Sequence, residues 1–159
     1  MNKKSIKIGL YSLLLIVLQS CESTKSVTQN KDTSSVPSEN PMRNIIFQQP
    51  APFESILAKA KAQNKPVFLD FSATWCMPCK LMEKNVFTDE TVAQYFNQHF
   101  ICYKADADTD PNGNIMNLNY DVKSYPAMLF LEANGNEIIR EMGTVGKDRL
   151  LELARSARK

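Results

Sequence analysis

Val67-Phe68-Leu69-Asp70-Phe71-Ser72-Ala73-Thr74-Trp75-Cys76-Met77-Pro78-Cys79-Lys80 begins as a short, nearly continuous apolar run and ends in a C-x-x-C pair. A run of that kind is expected of a strand buried on both faces. Beyond it a helix is predicted from about Cys76 to Val86, with Pro78 placed early, where its missing N–H costs nothing. Cys76 then stands at the helix N-terminus, where unpaired N–H groups and the helix dipole favour a thiolate, and is expected to be the exposed, reactive thiol. Cys79 falls inside the first turn, more shielded, and suits a resolving role. Two sulfurs at this spacing can close a small ring and reopen it with little backbone movement, and the thiolate is the attacking species in thiol–disulfide exchange.

Other uses of a C-x-x-C pair fit less well. Zinc needs two further ligands, yet Cys102 lies in a predicted strand and His99 stands alone. A c-type haem site needs His after the second Cys, and position 80 is Lys. A purely structural disulfide closing so short a loop stabilises little.

Outward from this stretch, Phe53, Ile56, Leu57 and Ala60 recur at helical spacing, and Pro66 bars continuation, so a helix covers about 53–63. Thr88 or Asp89 can cap a further helix carrying Val92, Tyr95 and Phe96. Residues 100–105 read as the next strand and 112–120 as a short helix. Strands are predicted over 127–132 and 137–142 around Asn134-Gly135, a strong hairpin signal. An amphipathic helix over 147–157 turns Leu150, Leu151 and Ala154 inward. Parallel β-α-β units followed by an antiparallel hairpin imply an α/β fold with a mixed sheet covered by helices.

Toward the N-terminus, Lys3, Lys4 and Lys7 precede an apolar run from Ile8 to Leu18. Spanning a bilayer takes about 20 apolar residues, so the run is short for a transmembrane helix and has the layout of a secretory signal. It ends in Leu18-Gln19-Ser20-Cys21, which resembles a bacterial lipobox. Residues 1–20 are therefore expected to be a signal peptide, with Cys21 the lipidated first residue of the mature protein and the folded part outside the cytoplasm. Residues 21–50 are polar and interrupted by Pro37, Pro41 and Pro50, as in a flexible tether of roughly 30 Å reach. Ile45-Ile46-Phe47 begin to dock on the domain, which covers 51–159.

From Lys65 to Leu153 the chain resembles thioredoxin-like proteins. The resemblance rests on Val67–Phe71, on Ala73–Lys80, on Tyr120-Asp121-Val122-Lys123-Ser124-Tyr125-Pro126, and on Gly143 and Gly146 before the last helix. Glu83-Lys84-Asn85-Val86-Phe87-Thr88-Asp89 is most similar to a periplasmic branch that includes the C-terminal domain of DsbD-type reductant transporters. The resemblance implies a thioredoxin fold, with Cys76 as nucleophile and Cys79 as resolving thiol. It implies that Asp70 is a buried strand acid assisting proton movement at Cys79, and that Lys104 approaches it from the neighbouring strand. Pro126 matches a cis-proline facing the disulfide, where substrate backbone pairs in extended form. Trp75, Met77, Pro78 and Tyr125 would line the substrate-docking face. Met77-Pro78 replaces Gly-Pro, Ser72 replaces a second Trp, and Tyr125 stands where a β-branched residue is commoner. Those departures bear on potential and substrate choice, whereas the reaction type stands.

Composition narrows the partners. The 19 Lys+Arg and 17 Asp+Glu include three lysines in the first 20 residues, so the remainder is nearly neutral and has no overall field suited to nucleic acid. Asp106, Asp108 and Asp110 precede Pro111-Asn112-Gly113 but lack the later Glu of a calcium loop, so a solvated turn is expected and no metal. Cys102 reads as a buried, inert thiol, and His99 as a surface residue without a role. The chain is thus read as a monomeric thiol–disulfide oxidoreductase that needs no cofactor. Its expected partners are protein disulfides, a membrane or periplasmic thiol reductant, and the membrane holding its lipid anchor. Two alternatives remain open: a docking module whose Cys pair is structural, and an oxidase or isomerase with the same motifs.

Overall fold

The computed structural model describes residues 43–159. The expected signal segment, Cys21 and the stretch up to residue 42 lie outside the described residues. The element order is α1 (Phe53–Gln63), β1 (Val67–Ser72), α2 (Met77–Asn85), α3 (Glu90–His99), β2 (Ile101–Asp106), α4 (Gly113–Asn119), β3 (Ala127–Leu131), β4 (Glu137–Met142) and α5 (Lys147–Ser156). Each element follows from a local signal. Asn64, in the left-handed conformation, closes α1 just before Pro66. Asp89, one of the two candidate caps, accepts hydrogen bonds from the Thr91 and Val92 N–H groups at the start of α3.

The four strands lie in the order β2-β1-β3-β4. β1 runs parallel to β2 and antiparallel to β3, and β3 pairs antiparallel with β4. β1 is therefore central and buried along its whole length, which is why its sequence is nearly continuous in apolar residues. β3 and β4 form the hairpin that Asn134-Gly135 signalled, β3 ending one residue early and the turn closed by the Glu132 N–H donating to the Asn136 carbonyl at 2.8 Å. Gly135 has φ +94° and its carbonyl accepts from the Tyr120 hydroxyl at 3.0 Å, so the turn is tied to α4 as well as to its own strands.

The alternation along β1 sorts its side chains between two cores. Val67, Leu69 and Phe71 face a cluster with Ile56 and Ala60 of α1 and Met116 of α4. Phe68 faces the opposite cluster, built from Met82 of α2, Val92 and Phe96 of α3, and Leu150, Leu153 and Ala154 of α5. Phe68 and Phe96 meet edge to face with ring centroids 4.7 Å apart. Asp70 shares the parity of Phe68 and so belongs to the α2 side of the sheet.

β2 would be an open edge, but the chain before α1 lies along it. Phe47 bridges Cys102 in parallel, the Gln48 N–H donates to the Cys102 carbonyl at 2.9 Å, and Ile45 is buried against the α2 side. The Asn97 side chain fastens this strap by accepting from the Ile46 N–H and donating to the Asn44 carbonyl.

Candidate active site

The loop after β1 brings the two sulfurs together, and Cys76 and Cys79 form a disulfide with Cα atoms 5.4 Å apart. Cys76 is the N-cap of α2, its Sγ accepting from the Cys79 N–H at 3.2 Å, and Pro78 occupies the first turn. A thiolate released at Cys76 would sit where the free N–H groups of the helix converge. The expectation of an exposed Cys76 is corrected in this oxidised form. Cys76 is 2% and Cys79 3% exposed, because Ala107 and Tyr125 pack over the pair from two distant loops.

Asp70 is 2% exposed, and burial lifts its carboxyl pKa to about 7. Lys104 opposes that rise, while Glu83 and Asp106 add to it. The parallel register sets Asp70 beside Lys104 on the adjacent strand, as the resemblance implied. The Lys104 ammonium, however, pairs with Glu83, a residue not singled out from sequence. Glu83 lies four residues beyond Cys79, one turn along the same face of α2, and that spacing was the signal that could have found it. With its lysine shared, the buried acid keeps a pKa close to neutrality.

Around the disulfide the chain exposes an aromatic and apolar surface. Trp75 is 71% and Met77 61% exposed, and Pro78 is exposed as well. The Trp75 and Tyr125 rings lie 5.8 Å apart, and the Tyr125 hydroxyl accepts from Asn117 Nδ2 at 2.5 Å. The Tyr125–Pro126 peptide is cis. Pro126 is itself buried, and its carbonyl is occupied by the Gly143 N–H at 2.8 Å.

The turn expected at the three aspartates forms, with Asp108 exposed, but each carboxylate also accepts from the protein and Asp110 is buried. Asp106 Oδ1 accepts from the N–H groups of Asp108 and Thr109, each at 3.0 Å. Asp108 Oδ2 accepts from both the N–H and the hydroxyl of Thr74, each at 2.7 Å, which fastens this loop to the segment leading into Cys76. Asp110 is buried and takes the Tyr103 hydroxyl at 2.7 Å. No cluster of three or more metal-ligating side chains occurs among the described residues. Cys102 is buried, and desolvation pushes its thiol pKa far up. His99 is half-buried against Tyr95, ring centroids 4.6 Å apart.

A disulfide that caps the helix following a central strand with a buried acid, on a four-stranded sheet with helices on both faces, defines a thiol–disulfide oxidoreductase of thioredoxin fold. The thioredoxin-like family model matches residues 48–133, and the chain belongs to that family. Over 101 residues the chain is 33% identical to the thiol:disulfide interchange protein DsbD of Campylobacter jejuni, a match covering 63% of this chain and 18% of that protein. It therefore spans less than a fifth of that relative. A solution structure of a proposed disulphide-isomerase from Bacteroides thetaiotaomicron superposes with TM-score 0.64 at 33% identity, covering 74% of this chain and 95% of that one. The reduced C-terminal domain of Neisseria meningitidis DsbD shares the fold, with TM-score 0.58 at 24% identity over 71% of this chain and all of that one.

Proposed function

We propose that this protein reduces protein disulfides outside the cytoplasm, as a monomer held at a membrane by lipid on Cys21. The observation that carries the reductive chemistry is the Asp70 carboxyl, buried on the α2 side of β1 and titrating near pH 7. In the reduced enzyme the Cys76 thiolate attacks a substrate disulfide, forming a mixed disulfide and releasing one substrate thiolate. Asp70 then accepts the proton of the Cys79 thiol, and the Cys79 sulfur attacks Cys76 Sγ. The second substrate sulfur leaves and takes up a proton, so the substrate gains two electrons and the enzyme ends as the Cys76–Cys79 disulfide. A membrane or periplasmic dithiol of lower potential then restores the enzyme by the same exchange.

Lys104 tempers the Asp70 pKa. Trp75, Met77, Pro78 and Tyr125 present the docking surface. With the Pro126 carbonyl taken by Gly143, the backbone of Tyr125 is left to pair with an extended substrate chain.

The carboxylates of Asp106 and Asp108, joined by that of Asp70 above about pH 7, support the reductive direction. Negative charge near the pair disfavours a Cys76 thiolate and so favours the disulfide, which makes the dithiol a better electron donor. The likeness to a proposed disulphide-isomerase favours a second reading, an isomerase of higher potential. Redox titration of the Cys76–Cys79 pair separates the two. A potential below about −220 mV supports the reductase, and one near about −180 mV supports the isomerase.

The anchor rests on Leu18-Gln19-Ser20-Cys21 after the short apolar run, and on the DsbD likeness for a periplasmic setting. Cys21→Ala should shift the protein out of the membrane fraction. An unmodified Cys21 by mass spectrometry, with unchanged membrane association, refutes the lipid assignment.

A further inference from the structure

The described domain carries fourteen Lys+Arg and fourteen Asp+Glu from Arg43 onward, yet these charges are segregated along β1. At the end where β1 finishes, Asp106 and Asp108 stand by the disulfide loop, and Glu83 is ion-paired with Lys104. At the end where β1 begins, Lys65, Arg158 and Lys159 line an open cleft of about 500 Å³ in which, among the described residues, Glu132 is the one acidic side chain. Arg155 and Arg158 both approach the Tyr95 ring, within 5.7 and 6.0 Å of its centroid. Among the described residues, none of Lys65, Arg155, Arg158 and Lys159 is ion-paired, although six other pairs form elsewhere on the surface. Burial lowers the His99 pKa, and Arg158 and Lys65 both lie near enough to lower it further, so these two cations share one neighbourhood.

The upstream chain enters the domain at this same end. The Asn44 carbonyl is held by the Asn97 side chain, and the Asn97 carbonyl accepts from Lys65 Nζ at 3.5 Å. Twenty-one residues separate Cys21 from Arg43, and a polar chain of that length reaches roughly 25 Å. Six residues of β1, about 20 Å, separate the cationic end from the loop that carries the disulfide.

We infer that the Lys65/Arg155/Arg158/Lys159 end is a docking surface for anionic lipid headgroups, which turns the disulfide end away from the membrane. The inference rests on the membrane-anchored reading, and it deepens that reading by assigning the domain an orientation. A neutral domain gains nothing from an anionic surface on average. A dipolar one is attracted by its basic end and repelled by its acidic end once it comes within a few Debye lengths, each about 8 Å at physiological salt, of the charges that orient it. The exposed Trp75 and Met77 are then presented to substrates and to the electron donor, and are not lost against lipid.

The test uses a chain starting at residue 22, which carries neither signal nor lipid and so is independent of the anchor. Both core clusters draw only on residues between Ile45 and Ala157, so this chain keeps every packed side chain described. It is sedimented with phosphatidylcholine vesicles and with vesicles containing about one third phosphatidylglycerol, at low and high salt. The expected result is binding to the anionic vesicles alone, lost at high salt. Each basic residue near such a surface strengthens binding about fivefold, so Lys65→Glu/Arg158→Glu should weaken it at least tenfold. Lys123→Glu, at an exposed site outside the cluster, should change it little, and insulin reduction by the double variant should be unchanged and so report an intact fold. No binding to anionic vesicles, equal binding to neutral ones, or an unaffected double variant overturns the inference. Displacement by inorganic phosphate at constant ionic strength also overturns it, in favour of a discrete anion site. Loss of membrane association by Cys21→Ala in cells reports on the anchor alone.

Discussion

Replacing Asp70 by Asn separates the cost of a buried acid from its use. The carboxyl titrates at about 7 in the folded protein and at about 3.9 in an unfolded chain. Below about pH 4 it is protonated in both states and contributes nothing to the pH dependence. Between about pH 4 and 7 the unfolded chain releases the proton and the folded chain retains it, so stability falls by about 1.4 kcal/mol per pH unit. Above pH 7 the loss levels off at about 4 kcal/mol. With the residue 2% exposed, solvent screening removes little of that penalty. An amide has nearly the same shape and no charge. Asp70→Asn should therefore match the parent near pH 4 and exceed its stability by up to about 4 kcal/mol at pH 8, less whatever hydrogen bonding the amide leaves unmet.

Urea unfolding of the oxidised proteins at pH 4, 6 and 8 reads the first half of the prediction. Single-turnover reduction of a disulfide peptide across pH 6 to 9 reads the second. Resolution by Cys79 should slow on the order of 10²-fold and lose its inflection near pH 7, because the proton acceptor is gone. A variant less stable than the parent at pH 8 and equally fast in resolution would make Asp70 an ordinary structural acid and remove it from the mechanism.

Glu83→Gln releases Lys104 from its ion pair and deletes a negative charge near Asp70, and both changes favour the Asp70 carboxylate. The inflection in the resolution rate should move below pH 7, and an upward shift would contradict the assigned coupling. Cys76→Ser should abolish insulin-disulfide reduction, whereas Cys79→Ser should still attack and accumulate mixed disulfides visible on non-reducing gels; near-normal activity of Cys76→Ser refutes the nucleophile assignment. Gly113→Ala places a Cβ 2.2 Å from the Asp106 carbonyl oxygen, so the loop carrying Asp106 and Asp108 must shift. A loss on the order of 1–3 kcal/mol in urea unfolding is expected, and an unchanged midpoint would show that the loop yields freely.

The helices and strands were legible wherever one local signal sufficed. The apolar periodicity of Phe53 to Ala60, the stop at Pro66 and the cap at Asp89 each act within a turn or two of chain, and α1 and α3 form where those signals lie. The strap along β2 was only partly legible. Ile45 and Phe47 point to docking, but three residues carry no period, and the grip on them comes from Asn97, more than fifty positions away. The hairpin around Asn134-Gly135 was legible to within one residue, whereas its tie to Tyr120 of the neighbouring layer was not, because that partner lies 15 positions away.

The disulfide site divides along the same line. Cys76, Cys79, Pro78 and Asp70 are fixed by strand parity and by the start of one helix, both of which operate over short stretches, and so they could be placed from sequence. What covers and tunes them arrives from far along the chain. Ala107 and Tyr125 bury the sulfurs, Asp108 holds Thr74 from a loop 34 residues away, and Glu83 diverts the lysine that would otherwise face Asp70 alone. The run of aspartates at 106, 108 and 110 was read as a solvated turn, which holds for the exposed Asp108 and fails for Asp110. Here each has a different donor to satisfy, and Asp110 goes inside because the Tyr103 hydroxyl is buried and needs an acceptor. Reactivity in this protein is thus a local property of a helix start, and its adjustment is a tertiary one. Substitutions in the distant loops should alter potential and pH dependence while leaving the reaction type intact.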